Sequence, residues 1–410
     1  MSRPRLLFVS PRFLFPLNEG GKIRTAGILR GMKGGTFDVT LLSPASPDEK
    51  AYGPELASVC ERFRPWPELR GKRARRVLGL FGPLPVSVAV DRAKAGLRLV
   101  ADELAKKPNV VVFDFAHAGA LMPDRIGAPS VMFTHNIETE ILERHAAMAT
   151  GLWRMIWQRE RAKMEAFERR VLRRCDSVIA VSQRDAAGLA SRFGLNNVKI
   201  IDTGVDLDFY AYHAPLEPTG TVVFSGAMDS RSNIDGLRFL MDDVWPIVTA
   251  RRPDARMIVA GRNPPADLVQ KAARQGLNWQ FTGLVDDIRP WVLAGSASVI
   301  PLRVGSGTRL KAFESMALGR PVVSTTLGVE GLPIVPGKHF LAAETAEAFG
   351  DAIVRLLADP ALRCRLAQDA RSLLEENLSW AHIARQFEQI CVEASAVGDI
   401  SPFAARGARL

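Results

Sequence analysis

Short apolar runs recur along the chain, each closed by a glycine or a polar turn and followed by apolar positions at helical spacing. A first series lies at residues 6–9, 39–42, 110–113, 130–133 and 177–181, and a second at 221–224, 257–259, 279–281, 298–300 and 321–324. Continuous rather than alternating apolar runs belong to strands covered on both faces, and the intervening helices supply that cover. The pattern predicts an α/β protein made of two successive sets of βα units, each with its own parallel sheet: two Rossmann-like halves. Pro215 and Pro218 break regular structure over 210–219, which is read as the linker, with one domain over 1–209 and the next over 220–379. Ile383, Phe387 and Ile390 share a face of a last amphipathic helix over 380–397.

Residues 144–174 are dense in arginine, with Trp153, Met155, Ile156 and Trp157 near the start, and their spacing predicts one long helix. Its arginines are read as a solvated face opposite a core stripe, with a membrane-surface helix as the alternative. The chain has 410 residues, 47% hydrophobic and 24% charged, which excludes a disordered chain, a collagen-like repeat and a disulfide scaffold. Four dispersed cysteines (Cys60, Cys175, Cys364, Cys391) form no C-x-x-C pair, so no zinc site is signalled and a reducing, cytoplasmic setting fits. Ser10, Pro11 and Arg12 interrupt the first apolar run, which suits a buried strand and not the ~7–15-residue apolar core of a signal peptide. A formal net charge of +10 attracts anions such as phosphorylated small molecules or acidic lipid headgroups. The basic residues are spread along the chain without a recognition motif, which argues against nucleic acid.

The most informative stretch, 299–325, reads VIPLRVGSGTRLKAFESMALGRPVVST. A strand, the glycine loop at 305–308 and a helix ending at Gly319 follow in order, so bare backbone amides and a helix N-terminus make an anion site. Leu310, Phe313 and Ala317 share the buried face of that helix, which leaves Lys311 and Glu314 on an adjoining face. A cation beside a phosphate loop, with a carboxylate one turn deeper, suits the diphosphate and ribose of a nucleotide. A surface Lys–Glu pair, worth ~0.3 kcal/mol, is the plain alternative.

Seven motifs in order then carry a resemblance. They are GGKIRT at 20–25, THNIETE at 134–140, DSVIAVSQRDA at 176–186, TGVDLDFY at 203–210, FSGAMDSRSN at 224–233, FTGLVDDI at 281–288 and the GSGTRLKAFESMALGRPVVST block. Together the chain resembles the family 4 glycosyltransferases, retaining enzymes of the GT-B fold, and among them a bacterial exopolysaccharide-type subgroup with a G-x-G-T-R-L-K donor loop. The resemblance implies two Rossmann-like domains whose sheets face a central cleft, with the C-terminal helix packing back on the N-terminal, acceptor-binding domain. The C-terminal domain would take the nucleotide-sugar donor.

Carried over position by position, the resemblance implies that Glu314 holds the donor ribose, while the family's first glutamate is replaced here by Ser306. Ser306, Gly307, Thr308 and Arg309 would supply donors to the sugar or phosphate, beside Lys311. Gly226 would lie in the diphosphate loop with Arg231 as its cation, Gly283 and Val285 would offer backbone atoms to the base, and Glu330 and Gly331 would close over the sugar. In the first half, Gly20 and Gly21 would bring backbone near the cleft, Arg24 would meet the departing phosphate, and His135 would lie near the donor sugar. Asp114 and His117 are the acceptor-side candidates, at the end of a strand, where open α/β sheets bind ligands.

The implied reaction passes a sugar from a UDP- or GDP-sugar to a saccharide, lipid-linked or small-molecule acceptor, with His135, Arg309, Lys311 and Glu314 as catalytic residues. An epimerase of the same fold and a non-catalytic nucleotide-sugar binder stay open. Asp206-Leu207-Asp208 imitates a metal-binding D-x-D but lies in the connecting stretch TGVD, so it is read as structural, with no metal or other cofactor expected. The segment 70–82, RGKRARRVLGLFG, joins basic and apolar residues that would rest on an anionic membrane, making the protein peripheral at its inner face.

Overall fold

Every apolar run read as a strand forms one in the computed structural model of the chain, which describes residues 3–45, 49–69, 71–215, 219–304 and 310–400, less the side chains of 49, 72–74 and 397–400. The chain divides into two compact units, Met1–Asp202 with Ile383–Leu410, and Thr203–His382. Residues 203–209 therefore belong to the second unit, and the linker stretch begins inside it.

The first unit holds strands β1 (Arg5–Val9), β2 (Asp38–Pro44), β3 (Arg62–Trp66), β4 (Val110–Asp114), β5 (Ser130–Phe133), β6 (Ser177–Ala180) and β7 (Val198–Ile200). They pair in parallel in the order β3-β2-β1-β4-β5-β6-β7. The second unit holds β8 (Thr221–Ser225), β9 (Arg256–Ala260), β10 (Trp279–Gly283), β11 (Ala297–Ile300), β12 (Val322–Ser324) and β13 (Leu341–Ala342), parallel in the order β10-β9-β8-β11-β12-β13. Strand order reverses between β1 and β4 in one sheet and between β8 and β11 in the other. Each reversal opens a crevice at the carboxyl ends of those strands, where α/β sheets hold ligands.

The central strands are apolar because they are sealed on both faces: β4 is buried along its whole length, with Leu6 opposite Val110 and Val9 opposite Phe113. The edge strand β3, RFRPW, is mostly exposed and its polar, proline-containing sequence gives no apolar run. The last helix, Trp380–Ile400, enters the first unit at Ile383, where the buried Phe387 ring lies 6.4 Å from Phe8 and 5.2 Å from Phe133.

The single helix expected over 144–174 is two. Glu138–Met148 and Gly151–Leu172 are separated by extended residues at Ala149 and Thr150, and Gly151 has φ +55°, which a side chain resists. Glu168 of the second helix places its carboxylate on the backbone N–H groups of Glu138 and Thr139, each at 2.9 Å, and so caps the first. The second helix buries Met164, Phe167, Val171 and Leu172, as a core stripe should, but its start leaves Leu152, Trp153 and Met155 more than 60% exposed.

Replacing Phe387 with alanine removes a fully buried ring at the joint between the last helix and the first sheet, and is expected to destabilise the first unit by ~3–5 kcal/mol. Urea unfolding checks it; a loss below about 1 kcal/mol would mean that the helix is not seated there.

Candidate active site

In the second unit, β8 ends at Ser225 and the chain turns at Gly226, whose φ of +151° is open to glycine alone. A Cβ at Gly226 would come within 2.9 Å of Asn233 Nδ2 and 3.0 Å of Lys311 Nζ. Lys311 Nζ donates to Asn233 Oδ1 at 2.9 Å and lies 4.8 Å from the centre of the Phe224 ring, while Asn233 Nδ2 donates to the Ala227 carbonyl at 2.7 Å. Gly261, after β9, lies against the Gly226 carbonyl where a side chain would collide, and Gly226 N–H donates to the Ala260 carbonyl at 2.9 Å. Three segments thus fold around one ammonium: the β8 loop, the helix Arg231–Phe239 that carries Asn233, and the helix Leu310–Ala317 that carries Lys311.

One turn beyond Lys311, the half-buried Glu314 carboxyl accepts a hydrogen bond from the Tyr210 phenol. Burial pushes Glu314 above the usual carboxylate range, and the Tyr210 hydroxyl and the Lys311 charge pull it back. Burial, and then the neighbouring Glu314, raises the Tyr210 phenol, so it stays a donor. Tyr210 itself is fixed to the unit by its carbonyl, which accepts from Arg371 Nη1 at 3.2 Å; the same guanidinium holds the Ala317 carbonyl at 3.0 Å. Gly283, at the end of β10, forms a bridge with Gly261 and so borders the same glycine crossing, and Val285, two residues on, is half-buried. Glu330 and Gly331 are exposed after the short helix Leu327–Val329 that follows β12. Arg231 is exposed at the start of its helix, and the side chain that meets Lys311 from there is Asn233. Ser306, Gly307, Thr308 and Arg309 lie outside the described residues. Asp206 Oδ1 accepts the Phe209 N–H at 2.9 Å and so organises a turn.

In the first unit the reversal between β1 and β4 carries a buried cluster. Asp114, fully buried, accepts from Ser10 Oγ at 3.0 Å, Thr25 Oγ1 at 3.1 Å and His135 Nε2 at 2.7 Å. Arg24 Nη1, which can only donate, lies 3.0 Å from His135 Nδ1, so the imidazole is neutral with its proton on Nε2. Burial lowers His135 below the usual histidine range against the pull of Asp114, and lowers Arg24 to about 10. The ring of Phe115 stacks on His135 at 4.0 Å and packs against Gly21, where a Cβ would lie 2.5 Å from it; Gly20 is exposed at the start of the same helix. The structure therefore joins Arg24, His135 and Asp114, and Asp114 faces inward rather than toward an acceptor. His117, in the short helix Ala116–Leu121, is buried with no hydrogen-bond partner at either ring nitrogen among the described residues; burial and then the Arg12 charge push it down to about 3.

Sequence reasoning missed Asn233 and Tyr210. Both lie inside the motifs FSGAMDSRSN and TGVDLDFY, but only the folded chain pairs them with Lys311 and Glu314.

Two tandem parallel sheets in Rossmann order, each with a polar cluster at its reversal, define the GT-B fold. Residues 20–209 match the family described as Glycosyltransferase Family 4, and residues 219–359 the family described as Glycosyl transferases group 1. The two domains place the chain among the glycosyltransferases of that fold. It is 26% identical over 229 residues to phosphatidyl-myo-inositol mannosyltransferase of Mycolicibacterium smegmatis, covering 54% of this chain and 58% of that protein. The chain spans 42% and 58% of the length of two of the curated relatives it matches. Sucrose-phosphate synthase from Thermosynechococcus elongatus superposes with TM-score 0.70 at 19% identity, over 96% of this chain and 100% of that one. HepE from Anabaena, solved with UDP and glucose, superposes with TM-score 0.66 at 14% identity, over 95% and 100%. Among the described residues no helix is long and apolar enough to cross a membrane.

Glu138, just after the His135 cluster, has its carboxyl raised to about 7 by burial and the nearby Glu168 charge. A raised carboxyl favours the folded state fully below its unfolded value of 4.5, and that contribution is lost as pH rises to about 7. Glu138→Gln is therefore expected to gain roughly 1–3 kcal/mol relative to wild type between pH 4.5 and pH 8 in urea unfolding. An unchanged difference across that range would show that the carboxyl titrates normally.

Proposed function

We propose that the protein is a retaining glycosyltransferase in which the second unit holds a nucleoside diphosphate sugar. The observation that carries this is the Lys311 ammonium, fixed by Asn233 against the side-chain-free Gly226 at a strand reversal, with Glu314 one turn away. A cation at a strand's carboxyl end suits the diphosphate, and a carboxylate one turn further accepts two ribose hydroxyls. UDP is the first nucleotide to test, because HepE was solved with it, and GDP belongs in the same panel.

Breaking the bond between the anomeric carbon and the diphosphate builds positive charge on the sugar and negative charge on the leaving oxygen. Lys311 meets that negative charge, where one preorganised donor contributes ~3–4 kcal/mol. Glu314, held by the Tyr210 phenol, is a holding group and not a nucleophile. The acceptor oxygen attacks from the face the diphosphate leaves, and its proton passes to the leaving phosphate oxygen, which retains the anomeric configuration without a metal. Arg24, oriented by His135 and Asp114, is the buried cation at the first unit's own strand reversal.

Glu314→Ala is expected to weaken UDP binding by ~1.5–3 kcal/mol in calorimetry, the size of a lost hydrogen bond to a charged group. Affinity within twofold of wild type would overturn the ribose assignment. UDP release from UDP-glucose that depends on added acceptor separates transfer from binding alone and from epimerisation.

The helix Lys72–Phe81 leaves Val77, Leu78 and Phe81 59%, 72% and 79% exposed beside basic residues, and this face rests on an anionic membrane on the cytoplasmic side. In flotation with phosphatidylglycerol vesicles, Leu78→Ser with Phe81→Ser should cut the floating fraction severalfold; equal flotation would sink the membrane assignment.

A further inference from the structure

The first unit contains a cavity of about 410 Å³ that no strand residue lines. Its walls come from residues 82–84, the end of the helix Val86–Asp91, the short helix Ala116–Leu121 with the turn after it, and the last turns of the helix Gly151–Leu172. Asp124 lies on the segment that leads into β5 and Arg174 on the one that leads into β6, so the cavity sits on the helical flank of the sheet and not at the carboxyl ends of its strands. Ligand sites run to ~300–1,000 Å³, so a small molecule fits. None of the functional assignments above uses it.

Its charge is one-sided. Arg92, Arg170 and Arg174 line it against a single carboxylate, Asp124. Other arginines of the same helix are paired, Arg161 at 3.0 Å and Arg169 at 3.3 Å from the Glu165 carboxylate. The three in the cavity have no ion-pair partner among the described residues. They are nonetheless held in place. Arg174 donates to the Pro123 carbonyl and, at 3.1 Å, to that of Asp124, and the Arg170 guanidinium lies 5.7 Å from the centre of the Phe167 ring. Arg75 fixes the backbone that carries Arg92, donating to the carbonyls of Ala89 at 3.2 Å and Arg92 at 3.1 Å. Three guanidiniums against one carboxylate leave two positive charges, because arginine does not deprotonate in proteins. A phosphomonoester brings about −1.5 to −2 at neutral pH and three acceptor oxygens, and so matches that excess. A carboxylate or a phosphodiester brings one negative charge and leaves a cation buried against nothing.

The remaining wall is apolar. Ala120, Met122 and Phe167 are buried there and Leu84 is half-buried. Lys163, Phe167, Arg170 and Arg174 follow one another at i, i+4, i+7 and i+11, a single stripe of the helix. Lys163 Nζ donates to the Gly79 carbonyl at 3.3 Å and the Leu80 carbonyl at 3.1 Å, which ties the end of the helix Lys72–Phe81 to that stripe. Gly82 and Pro83 line the cavity directly after Phe81, itself 79% exposed. A phosphate attached to an apolar body therefore finds apolar surface both inside the cavity and at its rim.

We propose that this flank cavity is a second anion site of the first unit, outside the reaction centre, and that it takes a phosphomonoester, with Arg92, Arg170 and Arg174 donating to its terminal oxygens. The phosphate is that of a soluble ester or of a lipid monophosphate. The site exists whether or not the second unit holds a nucleotide sugar.

Calorimetry on the full chain tests it, with sn-glycerol 3-phosphate as the monoester and glycerophosphoglycerol as the diester. The monoester should bind at least about fivefold more tightly, and about 0.5 M NaCl should weaken it severalfold by screening. Arg92→Gln with Arg170→Gln, both at exposed positions, should weaken the monoester by about tenfold or more, the loss of charged hydrogen-bond donors. Lys94→Gln with Arg98→Gln removes the same charge from exposed positions outside the cavity and should leave the affinity within about twofold. Dihexanoylphosphatidic acid, used as a monomer, separates the two sources: affinity more than about threefold above that of glycerol phosphate assigns the site to a lipid, and any smaller gain assigns it to a soluble ester. No binding of the monoester, equal binding of the diester, or equal losses in the two double variants would overturn the proposal. UDP titrated into the Arg92→Gln, Arg170→Gln protein should bind as it does to the wild type; a parallel loss of UDP would place both phosphates in one site and also overturn it. If the wild type binds no UDP, the donor assignment falls, while the glycerol phosphate data still decide the cavity.

Discussion

The second unit is organised around the close approach of two strand ends that carry no side chain. Gly226 and Gly261 let the loops after β8 and β9 touch backbone to backbone, and the space a Cβ would fill at Gly226 is taken by Asn233 and the Lys311 ammonium. A cation in such a place needs oxygen partners and a π-face, and Asn233 Oδ1 and the Phe224 ring provide them. Lys311 is thereby held at the strand reversal before any ligand arrives, and Glu314 follows on the next turn of the same helix. This is electrostatic preorganisation: the charge is in position and does not have to be gathered during the reaction.

The first unit solves the same burial problem differently. A guanidinium and a carboxylate are both buried at its strand reversal, and a neutral imidazole stands between them. Arg24 can only donate and Asp114 already accepts from the Ser10 and Thr25 hydroxyls, so His135 accepts at Nδ1 and donates at Nε2. The ring is fixed in one tautomer and one orientation, and in turn aims Arg24. The backbone strain nearby, at Phe115 with φ +62°, falls at the same reversal, where the chain leaves β4 to present its ring to His135.

How much of this is legible in the sequence follows from burial. Strands sealed on both faces read as continuous apolar runs, and each such run is a strand. The edge strands β3 and β7 carry RFRPW and VKI, half-exposed and mixed in polarity, and gave no signal. The break between Met148 and Gly151 was hidden because arginine-rich helical spacing continues across it; only the positive φ at Gly151 and the distant cap from Glu168 mark two helices. At the candidate site, Lys311 and Glu314 were legible because their spacing lies within one helix. Their partners Asn233 and Tyr210 were not, being 78 and 104 residues away in sequence.

The central claim is that Lys311 and Glu314 grip the two ends of one nucleoside diphosphate. A crystal structure of the full chain soaked with UDP addresses it directly. The account predicts a diphosphate oxygen within hydrogen-bond distance of Lys311 Nζ and both ribose hydroxyls on the Glu314 carboxylate, with the Tyr210 phenol rearranged to admit them. UDP bound elsewhere on the second unit, with the Lys311–Asn233 and Tyr210–Glu314 pairs undisturbed, would contradict it.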